Sequence, residues 1–297
     1  MIRVSNLRVD YDDVRAVDDL SLEIGAGEVY GLVGPNGAGK TSALRAFVGL
    51  VEPTYGEVLI DGIDIDEHRA EATRVIGFMP DSAPTYDDLT VWEFLDLFAA
   101  SYMVPEATRA ETTERSIEQV GLAEKRDTLT AGLSRGMKQR LMLAKTLLPD
   151  PRVLLLDEPA SGLDPYGRAL LKDIVRQQGA DGKTVVISSH ILSELSEFCT
   201  SIGIMERGKL VASGEVDTVA TELFGDAEIT LEVVSGAEAI VAIAAANPLA
   251  GEARVEGNRA SFSFGGDEAD ASDLLAALIA GGARVSSFAR KQRDLEA

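Results

Sequence analysis

Cysteine and histidine are scarce in this sequence: its 297 residues include one cysteine and two histidines. The lone cysteine, Cys199, excludes an internal disulfide and fits a reducing compartment such as the cytosol. Because Cys199 lies in a segment of apolar periodicity, we predict that it is a buried core thiol. His68 stands in a charged stretch and is interpreted as a surface residue.

Positively charged residues are also few compared with negatively charged ones. The chain has 28 lysines and arginines against 49 aspartates and glutamates, which gives a formal net charge of −21. A protein that binds nucleic acid through its phosphates needs a basic surface, so this balance disfavours a nucleic-acid partner. Solubility is a simpler explanation of the acidity than an acid-specific partner.

Long hydrophobic runs are missing too. No apolar stretch approaches the ~20 residues that cross a bilayer, and the first residues lead into a strand pattern, not into a signal peptide. We therefore expect a soluble chain that acts at a membrane only through a partner that spans it. Hydrophobic residues still make up 45% of the sequence, which is enough for a sizeable core.

The first motif present is a glycine-rich loop of the phosphate-binding pattern, which ends in lysine and threonine. The glycines let successive backbone N–H groups point at phosphate oxygens. Lys40 places a positive charge near the outer phosphates, and Thr41 offers a hydroxyl to Mg²⁺. A buried strand is predicted before the loop and a helix after it, so the loop lies at a helix N-terminus, which favours anions. A glycine-rich turn without function is the alternative. The candidate nucleotide-binding residues here are Gly34, Pro35, Asn36, Gly37, Ala38, Gly39, Lys40, Thr41 and Ser42.

The rest of the first 220 residues alternates between strand and helix patterns, which predicts an α/β fold with a parallel core sheet. Apolar runs predict its buried strands at 29–33, 76–79, 153–158, 184–188 and 201–205. Period-2 alternation predicts antiparallel strands at 2–9 and 17–24, and a further hairpin strand is predicted at 56–62. Residues 90–148 have helical patterns, with a capping-box signature at Thr90 and Glu93. Ligands of such folds bind at the carboxyl ends of the strands, where Lys40, Asp157 and His190 all lie.

After about residue 224 the composition becomes alanine-rich. Strands are predicted at 227–234, 252–256, 259–264 and 283–288, and helices at 236–246 and 270–280. The Gly257-Asn258 pair between two of these strands is a tight hairpin signal. This β-α-β-β-α-β order predicts a small ferredoxin-like α+β domain.

Several motifs follow the glycine-rich loop in a fixed order. They are Leu133-Ser134-Arg135-Gly136, Leu154-Leu155-Leu156-Asp157-Glu158, Ser161-Gly162-Leu163-Asp164 and His190. This ordered set resembles the ATP-binding cassette (ABC) ATPase family over about residues 1–220. The resemblance implies an ABC-type P-loop domain at 1–222, with a parallel core sheet, an antiparallel β subdomain and a helical subdomain at about 88–150. The small C-terminal accessory domain would occupy 225–297.

The resemblance also implies roles for the residues at the strand ends. Asp157 would hold Mg²⁺ together with Thr41, and Glu158 would act as the general base that polarises the attacking water. His190 is similar to the family's switch histidine, which contacts the γ-phosphate of ATP. A solvated surface acid is the alternative for Glu158, and a helix-capping or core histidine is the alternative for His190.

Further nucleotide contacts are implied outside the loop. Tyr11 resembles the aromatic residue that stacks on adenine, with an ordinary surface or core tyrosine as the alternative. Asp164 would also lie near the nucleotide. The segment Ser134, Arg135, Gly136 and Met137 opens a helix whose amides can bind phosphate. In the family it binds the ATP of the other subunit, which implies a head-to-tail homodimer, or a dimer with a second ABC ATPase.

The chain departs from the family pattern at three positions. Arg135 stands where the family favours glycine, and Met137 stands where it favours glutamine. Asp81 stands where the family has glutamine or glutamate and is kept as a candidate nucleotide and Mg²⁺ ligand, because a carboxylate can accept a hydrogen bond from metal-bound water.

The predicted function is an ATP-binding and ATP-hydrolysing subunit that drives a separate membrane-spanning permease, in the branch that exports drugs, antibiotics, ions or polymers. The segment 82–102 would carry the permease-facing surface, although Phe94 and Phe98 are interpreted as core. Such a subunit would be cytoplasmic and peripheral on the inner face of the cell membrane. The alternative is a soluble ABC ATPase with a regulatory or nucleic-acid-linked role.

Overall fold

A computed structural model of the chain describes residues 1–82, 84–216, 218–219 and 227–291. The chain divides into two units, Met1–Glu215 and Val216–Ala297, and each is described by itself. The domain boundary that the sequence predicts, at 222–225, lies outside the described residues.

Six strands form the main sheet of the first unit. They are β3 (Val29–Val33), β6 (Ile76–Met79), β7 (Val153–Asp157), β8 (Thr184–Ser189), β9 (Ser201–Glu206) and β10 (Lys209–Glu215). Their order is β10-β9-β3-β8-β7-β6, and all neighbours are parallel except β10, which is antiparallel to β9. Every residue of β3, β7 and β8 is buried, which explains why these segments are continuous apolar runs in the sequence.

Four further strands form an antiparallel sheet in the same unit. They are β1 (Ile2–Tyr11), β2 (Val14–Ile24), β4 (Tyr55–Ile60) and β5 (Ile63–Asp64). Their order is β2-β1-β4-β5, and Ile2 lies opposite both Ile24 and Ile60. All three side chains are completely buried, so this face of the sheet packs on the core of the unit.

Helices complete the first unit. Next to the two sheets are α1 (Lys40–Phe47), α2 (Arg69–Ala72), α6 (Pro165–Ala180) and α7 (Leu192–Ser196), and the predicted helical segment contains α3 (Val91–Ser101), α4 (Glu106–Gln119) and α5 (Arg135–Leu147). The capping box at the start of α3 forms as predicted, with the Glu93 N–H donating to Thr90 Oγ1 at 3.2 Å and the Thr90 N–H donating to Glu93 Oε2 at 2.9 Å. None of the helices in the described ranges has both the length and the apolar character that crossing a bilayer requires.

Aromatic side chains line one side of α3. Phe94 is completely buried, but Phe98 is only half-buried, so the prediction that both belong to the core is correct for Phe94 alone. The Phe98 ring stacks with Tyr86 at a centroid distance of 6.2 Å, and the Lys145 ammonium lies 4.4 Å from its centroid. The ring is therefore one layer of a surface stack that a cation covers.

The second unit contains a four-stranded antiparallel sheet and two helices. In chain order its elements are β11 (Ala227–Ser235), α8 (Ala237–Ala246), β12 (Arg254–Glu256), β13 (Arg259–Phe264), α9 (Glu268–Ala280) and β14 (Arg284–Lys291). The strand order is β12-β13-β11-β14, and Phe262, Phe264, Leu274 and Leu278 contribute to its own hydrophobic core. This succession has the β-α-β-β-α-β order of a ferredoxin-like unit.

The sequence therefore predicted the parallel core sheet, the antiparallel sheet and the helical segment correctly, with differences at a few places. Strand β10 was not predicted from the sequence; it pairs with β9 through a short turn at Arg207 and Gly208. The helix after His190 ends at Ser196, two residues before its predicted end at about 198. Cys199 is half-buried as a residue, and burial raises the pKa of its thiol to about 12.

Candidate functional site: a phosphate loop and two strand-end carboxylates

The glycine-rich loop connects β3 to α1 at the carboxyl edge of the main sheet. Two of its glycines are required by close backbone approaches. A Cβ on Gly34 would lie 2.3 Å from the carbonyl oxygen of Met205, and one on Gly39 would lie 2.2 Å from that of Ala16. Gly39 also has a φ of 105°, which side chains rarely tolerate. The loop is thus held against β2 and β9, while Pro35, Asn36 and Gly37 are exposed.

Lys40 is the first residue of α1 and is only 6% exposed. Its ammonium donates to the carbonyl oxygens of Gly34 at 2.6 Å and Pro35 at 3.2 Å. The same nitrogen lies 3.6 Å from Glu158 Oε1. The cation is therefore placed over the loop that precedes it and beside a carboxylate from the end of β7.

Asp157 ends β7 and is 1% exposed. Its Oδ1 accepts a hydrogen bond from the Ser188 hydroxyl at 2.6 Å, whereas its buried Oδ2 has no hydrogen-bond partner among the described residues. A buried carboxylate oxygen without a partner destabilises the fold, because its hydrogen bonds to water are lost and no protein hydrogen bond replaces them. This oxygen is therefore suited to a cation.

Glu158 and His190 leave neighbouring strands and meet. His190 Nδ1 lies 3.0 Å from Glu158 Oε2, and the Glu158 N–H donates to Ser188 Oγ at 2.9 Å. Glu158 has a φ of 48°, a left-handed conformation that is strained for a residue with a side chain. Residues in such conformations are concentrated at functional sites. The ends of β7 and β8, together with the loop that follows β3, thus bring Lys40, Glu158 and His190 into one group.

The start of α5 packs on the segment that follows β7. Ser134 is the N-cap residue, and its hydroxyl accepts from the Met137 N–H at 3.3 Å. Arg135 Nη2 donates to Ser161 Oγ at 2.8 Å. A Cβ on Gly136 would lie 2.9 Å from the carbonyl oxygen of Gly162, so only glycine permits this approach of the two backbones.

The sequence is similar to those of known ABC transporter proteins. The family model described as ABC transporter matches residues 17–161. Nod factor export ATP-binding protein I of Ralstonia nicotianae is 34% identical over 225 residues, which are 76% of this chain and 70% of that protein. The chain belongs to the ABC transporter ATP-binding family. An uncharacterised ABC transporter ATP-binding protein of Nostoc is 38% identical over 199 residues, so the chain spans only 59% of that relative's length.

Solved structures of ABC cassettes have the same fold. An ATP-binding subunit of an ABC transporter superposes with a TM-score of 0.69 at 29% identity, over 76% of this chain and 93% of that one. A dimeric ATP-binding cassette with bound ADP and Pi gives a TM-score of 0.65 at 25% identity, over 73% of this chain and 99% of that one. The predicted ABC-type α/β fold is thereby confirmed for the cassette.

A divalent cation fits the residues at the base of the ABC site. Thr41 lies in the first turn of α1, and Asp157 offers the orphaned Oδ2. Among the described residues, no group of three His, Cys, Asp or Glu side chains could hold a metal ion. A cation here would thus need oxygens from a hydroxyl and from a phosphate ligand, a combination that suits Mg²⁺.

The remaining predicted residues, Asp81, Tyr11 and Asp164, each lie at an end of a strand or helix. Asp81 follows β6 and is exposed, at the edge where β6 and β7 end in parallel, so it leaves the sheet on the same side as Glu158. Tyr11 ends β1 and is 39% exposed. The Asp164 carboxylate accepts from the Gly167 N–H at 2.7 Å and caps α6, a structural role that the sequence did not predict for it.

Two polar residues of the site, Ser188 and Gln139, were not predicted from the sequence. Ser188 contacts both carboxylate-bearing residues, and Gln139 Nε2 donates to the Glu158 carbonyl oxygen at 3.3 Å. Ser188 stands in an apolar run two residues before His190, and a hydroxyl at the end of a buried strand was the available signal. No pattern marked Gln139, because its role depends on α5 packing against a segment about 20 residues later.

Proposed function

We propose that this chain is the ATP-binding and ATP-hydrolysing subunit of a transporter. The observation that carries the proposal is the convergence of Glu158 with Lys40 at 3.6 Å and with His190 at 3.0 Å, above the buried Asp157. A phosphate-binding lysine, a cation ligand and a base in one group are the parts that phosphoryl transfer to water needs.

Each residue then has a chemical role. The amides of the loop from Gly34 to Ser42 and the Lys40 ammonium bind the phosphates of ATP. Thr41 and Asp157, with Asp81 nearby, would hold Mg²⁺, which supplies charge neutralisation of the phosphates when bound. Glu158 orients water and accepts its proton. His190 contacts the γ-phosphate and holds the Glu158 carboxylate in place. Tyr11 stacks on the adenine ring of ATP.

Two copies are proposed to close around two ATP molecules. Ser134, Arg135, Gly136 and Met137 of one copy would face the nucleotide in the loop of the other, with Asp164 close by. The exposed positions of Ser134 and Arg135 and the dimeric cassette with ADP and Pi support this arrangement. A dimer in which both subunits contribute the same two surfaces has closed symmetry and adds no third subunit.

The partner is proposed to be a membrane-spanning permease, with export as the direction of transport. The relative from Ralstonia nicotianae is named for Nod factor export. A protein of Escherichia coli named as a probable multidrug ABC transporter ATP-binding protein is 35% identical over 226 residues, which are 76% of this chain and 39% of that protein. The chain would then work in the cytoplasm, bound to the inner face of the membrane through the permease.

The test is the variant Glu158→Gln, which keeps the size of the side chain but removes the base. We expect ATP binding to persist, hydrolysis to fall by ~10²–10⁴-fold, and an ATP-bound dimer to accumulate in size-exclusion chromatography. Glu206→Gln, at an exposed residue that ends β9, is the matched control and should hydrolyse ATP at the parental rate. Parental turnover in Glu158→Gln would disprove the role of Glu158 as the base.

A further inference from the structure

A cavity of about 130 Å³ lies behind the Glu158 segment, between helices α6 and α7. Its apolar lining is formed by Pro159, Ala160, Leu171, Ile187, Leu195 and Phe198. Helix α7 has only five residues, and its Leu195 lies against β3, where a Cβ on Gly31 would be 2.9 Å from Leu195 Cδ1. The apolar side chains of α7 therefore pack on the sheet. Between α7 and α6 the cavity leaves part of the apolar surface without contacts.

Polar bridges cross from α6 to α7 and to Glu197, the residue that follows α7, near this cavity. Arg168 Nη1 lies 3.0 Å from Glu194 Oε1, the Lys172 ammonium pairs with the Glu197 carboxylate, and Arg176 Nη2 donates to the Glu197 carbonyl oxygen at 2.7 Å. The three cations are spaced four residues apart and so share one face of α6. Charge thus attaches α7 to α6 where apolar packing is missing.

One of these bridges continues into the ABC site. The second carboxylate oxygen of Glu194 accepts from the Ser189 hydroxyl at 3.4 Å, and Ser189 Oγ in turn accepts from the Ile191 N–H at 3.0 Å. His190 lies between Ser189 and Ile191 in the chain, and its Nδ1 is 3.0 Å from Glu158 Oε2. The backbone around His190 is therefore connected to Glu194 through the Ser189 side chain.

We propose that Arg168 is a positioning residue, whose ion pair with Glu194 holds α7, and with it His190, in place against Glu158. The inference rests on the proposed ATPase function, because the ion pair maintains the contact of His190 with Glu158, the proposed general base. Arg168 is about half-exposed and Glu194 mostly buried, so salt weakens the pair only in part.

The experiment compares Arg168→Gln with the parent in the full chain. We expect kcat for ATP to fall about tenfold while the Kd for ATP changes less than about twofold, the pattern of a group that acts on the reacting geometry and not on binding. Arg168→Lys, which keeps the charge, should recover most of kcat. The reversed pair Arg168→Glu with Glu194→Arg should be more active than either single variant.

Hydrogen exchange tests the same contact without turnover. In Arg168→Gln the amides of residues 191–199 should exchange faster, while those of α1 stay unchanged. Arg74→Gln, at an exposed arginine outside both helices, is the matched control and should change neither exchange nor kcat.

The outcomes separate the two hypotheses. Parental exchange in residues 191–199 of Arg168→Gln overturns this inference, whatever the hydrolysis rate. A loss of kcat that tracks a lower melting temperature, and that the reversed pair does not restore, assigns Arg168 a purely structural role and also overturns it. A parent that does not hydrolyse ATP overturns the proposed function, and the exchange comparison still decides whether Arg168 holds α7.

Discussion

At the scale of single residues, Ser188 organises the two carboxylates of the site. Its hydroxyl donates to Asp157 Oδ1 and accepts from the Glu158 N–H, so its one proton and one of its lone pairs are both used. Ser188 is completely buried, which means that water cannot replace either contact. The orientation of Asp157 and the left-handed backbone of Glu158 both depend on this side chain.

We therefore expect Ser188→Ala to lower ATP hydrolysis. Loss of a buried hydrogen bond to a charged group costs about 1.5–3 kcal/mol, which corresponds to roughly a 10–100-fold lower kcat if the cost falls on the transition state. Steady-state hydrolysis measures it, and Ser213→Ala is the control, because Ser213 makes a comparable bond to Tyr30 outside the site. If both serine variants have parental kcat, Ser188 does not orient the reacting groups.

At the scale of elements, α3 shows how a sequence signature sets a helix start. Thr90 and Glu93 satisfy each other's backbone N–H groups, which the first turn of a helix cannot do by itself. The hydrogen bonds from the backbone N–H and the hydroxyl of Thr90 lower the pKa of Glu93 below its usual value of 4.5. The stabilising effect of a lowered carboxyl pKa is complete above the unfolded-state value and is lost as the pH falls below it.

Thr90→Ala is expected to destabilise the protein by about 1 kcal/mol at neutral pH. The difference from the parent should shrink as the pH falls through the pKa of Glu93, because the protonated carboxyl no longer accepts as strongly. Urea unfolding at a series of pH values measures this. The control is Thr108→Ala, whose exposed hydroxyl donates only to the Pro105 carbonyl oxygen at 3.3 Å, and a constant difference at all pH values would contradict the capping explanation.

At the scale of the whole molecule, each of the two units has a hydrophobic core of its own among the described residues. Phe47 belongs to the core of the first unit, and Phe262 belongs to that of the second. Each side chain is at least 97% buried, with exposures of 0% and 3%. Units with cores of their own can unfold separately.

Phe262→Ala should accordingly lower the free energy of unfolding of the second unit by about 3–5 kcal/mol and leave that of the first unit unchanged. Phe47→Ala is the reciprocal variant and should move the transition that Phe262→Ala does not. Guanidinium unfolding followed by tryptophan fluorescence reports the first unit, since Trp92 is the single tryptophan, and circular dichroism reports both. Equal shifts of every transition by both variants would mean that the two cores unfold as one.

The sequence by itself determined the elements and the chemical parts. Apolar runs and period-2 alternation located the strands of the first unit except β5 and β10. The loop pattern located Lys40 and Thr41, because these signals depend only on neighbouring residues. They also predicted the cap at Thr90, whose two members are three positions apart.

Only the tertiary structure decided which of these parts touch. Asp157, Ser188 and Lys40 are separated by up to 148 residues, yet the parallel register of β3, β8 and β7 ends their strands at one edge. The ion pair of Arg168 with Glu194, the contact of Gln139 with Glu158 and the pairing of β10 arise in the same way. Such contacts depend on how distant segments pack, and a pattern read along the chain contains no information on distance between segments in space.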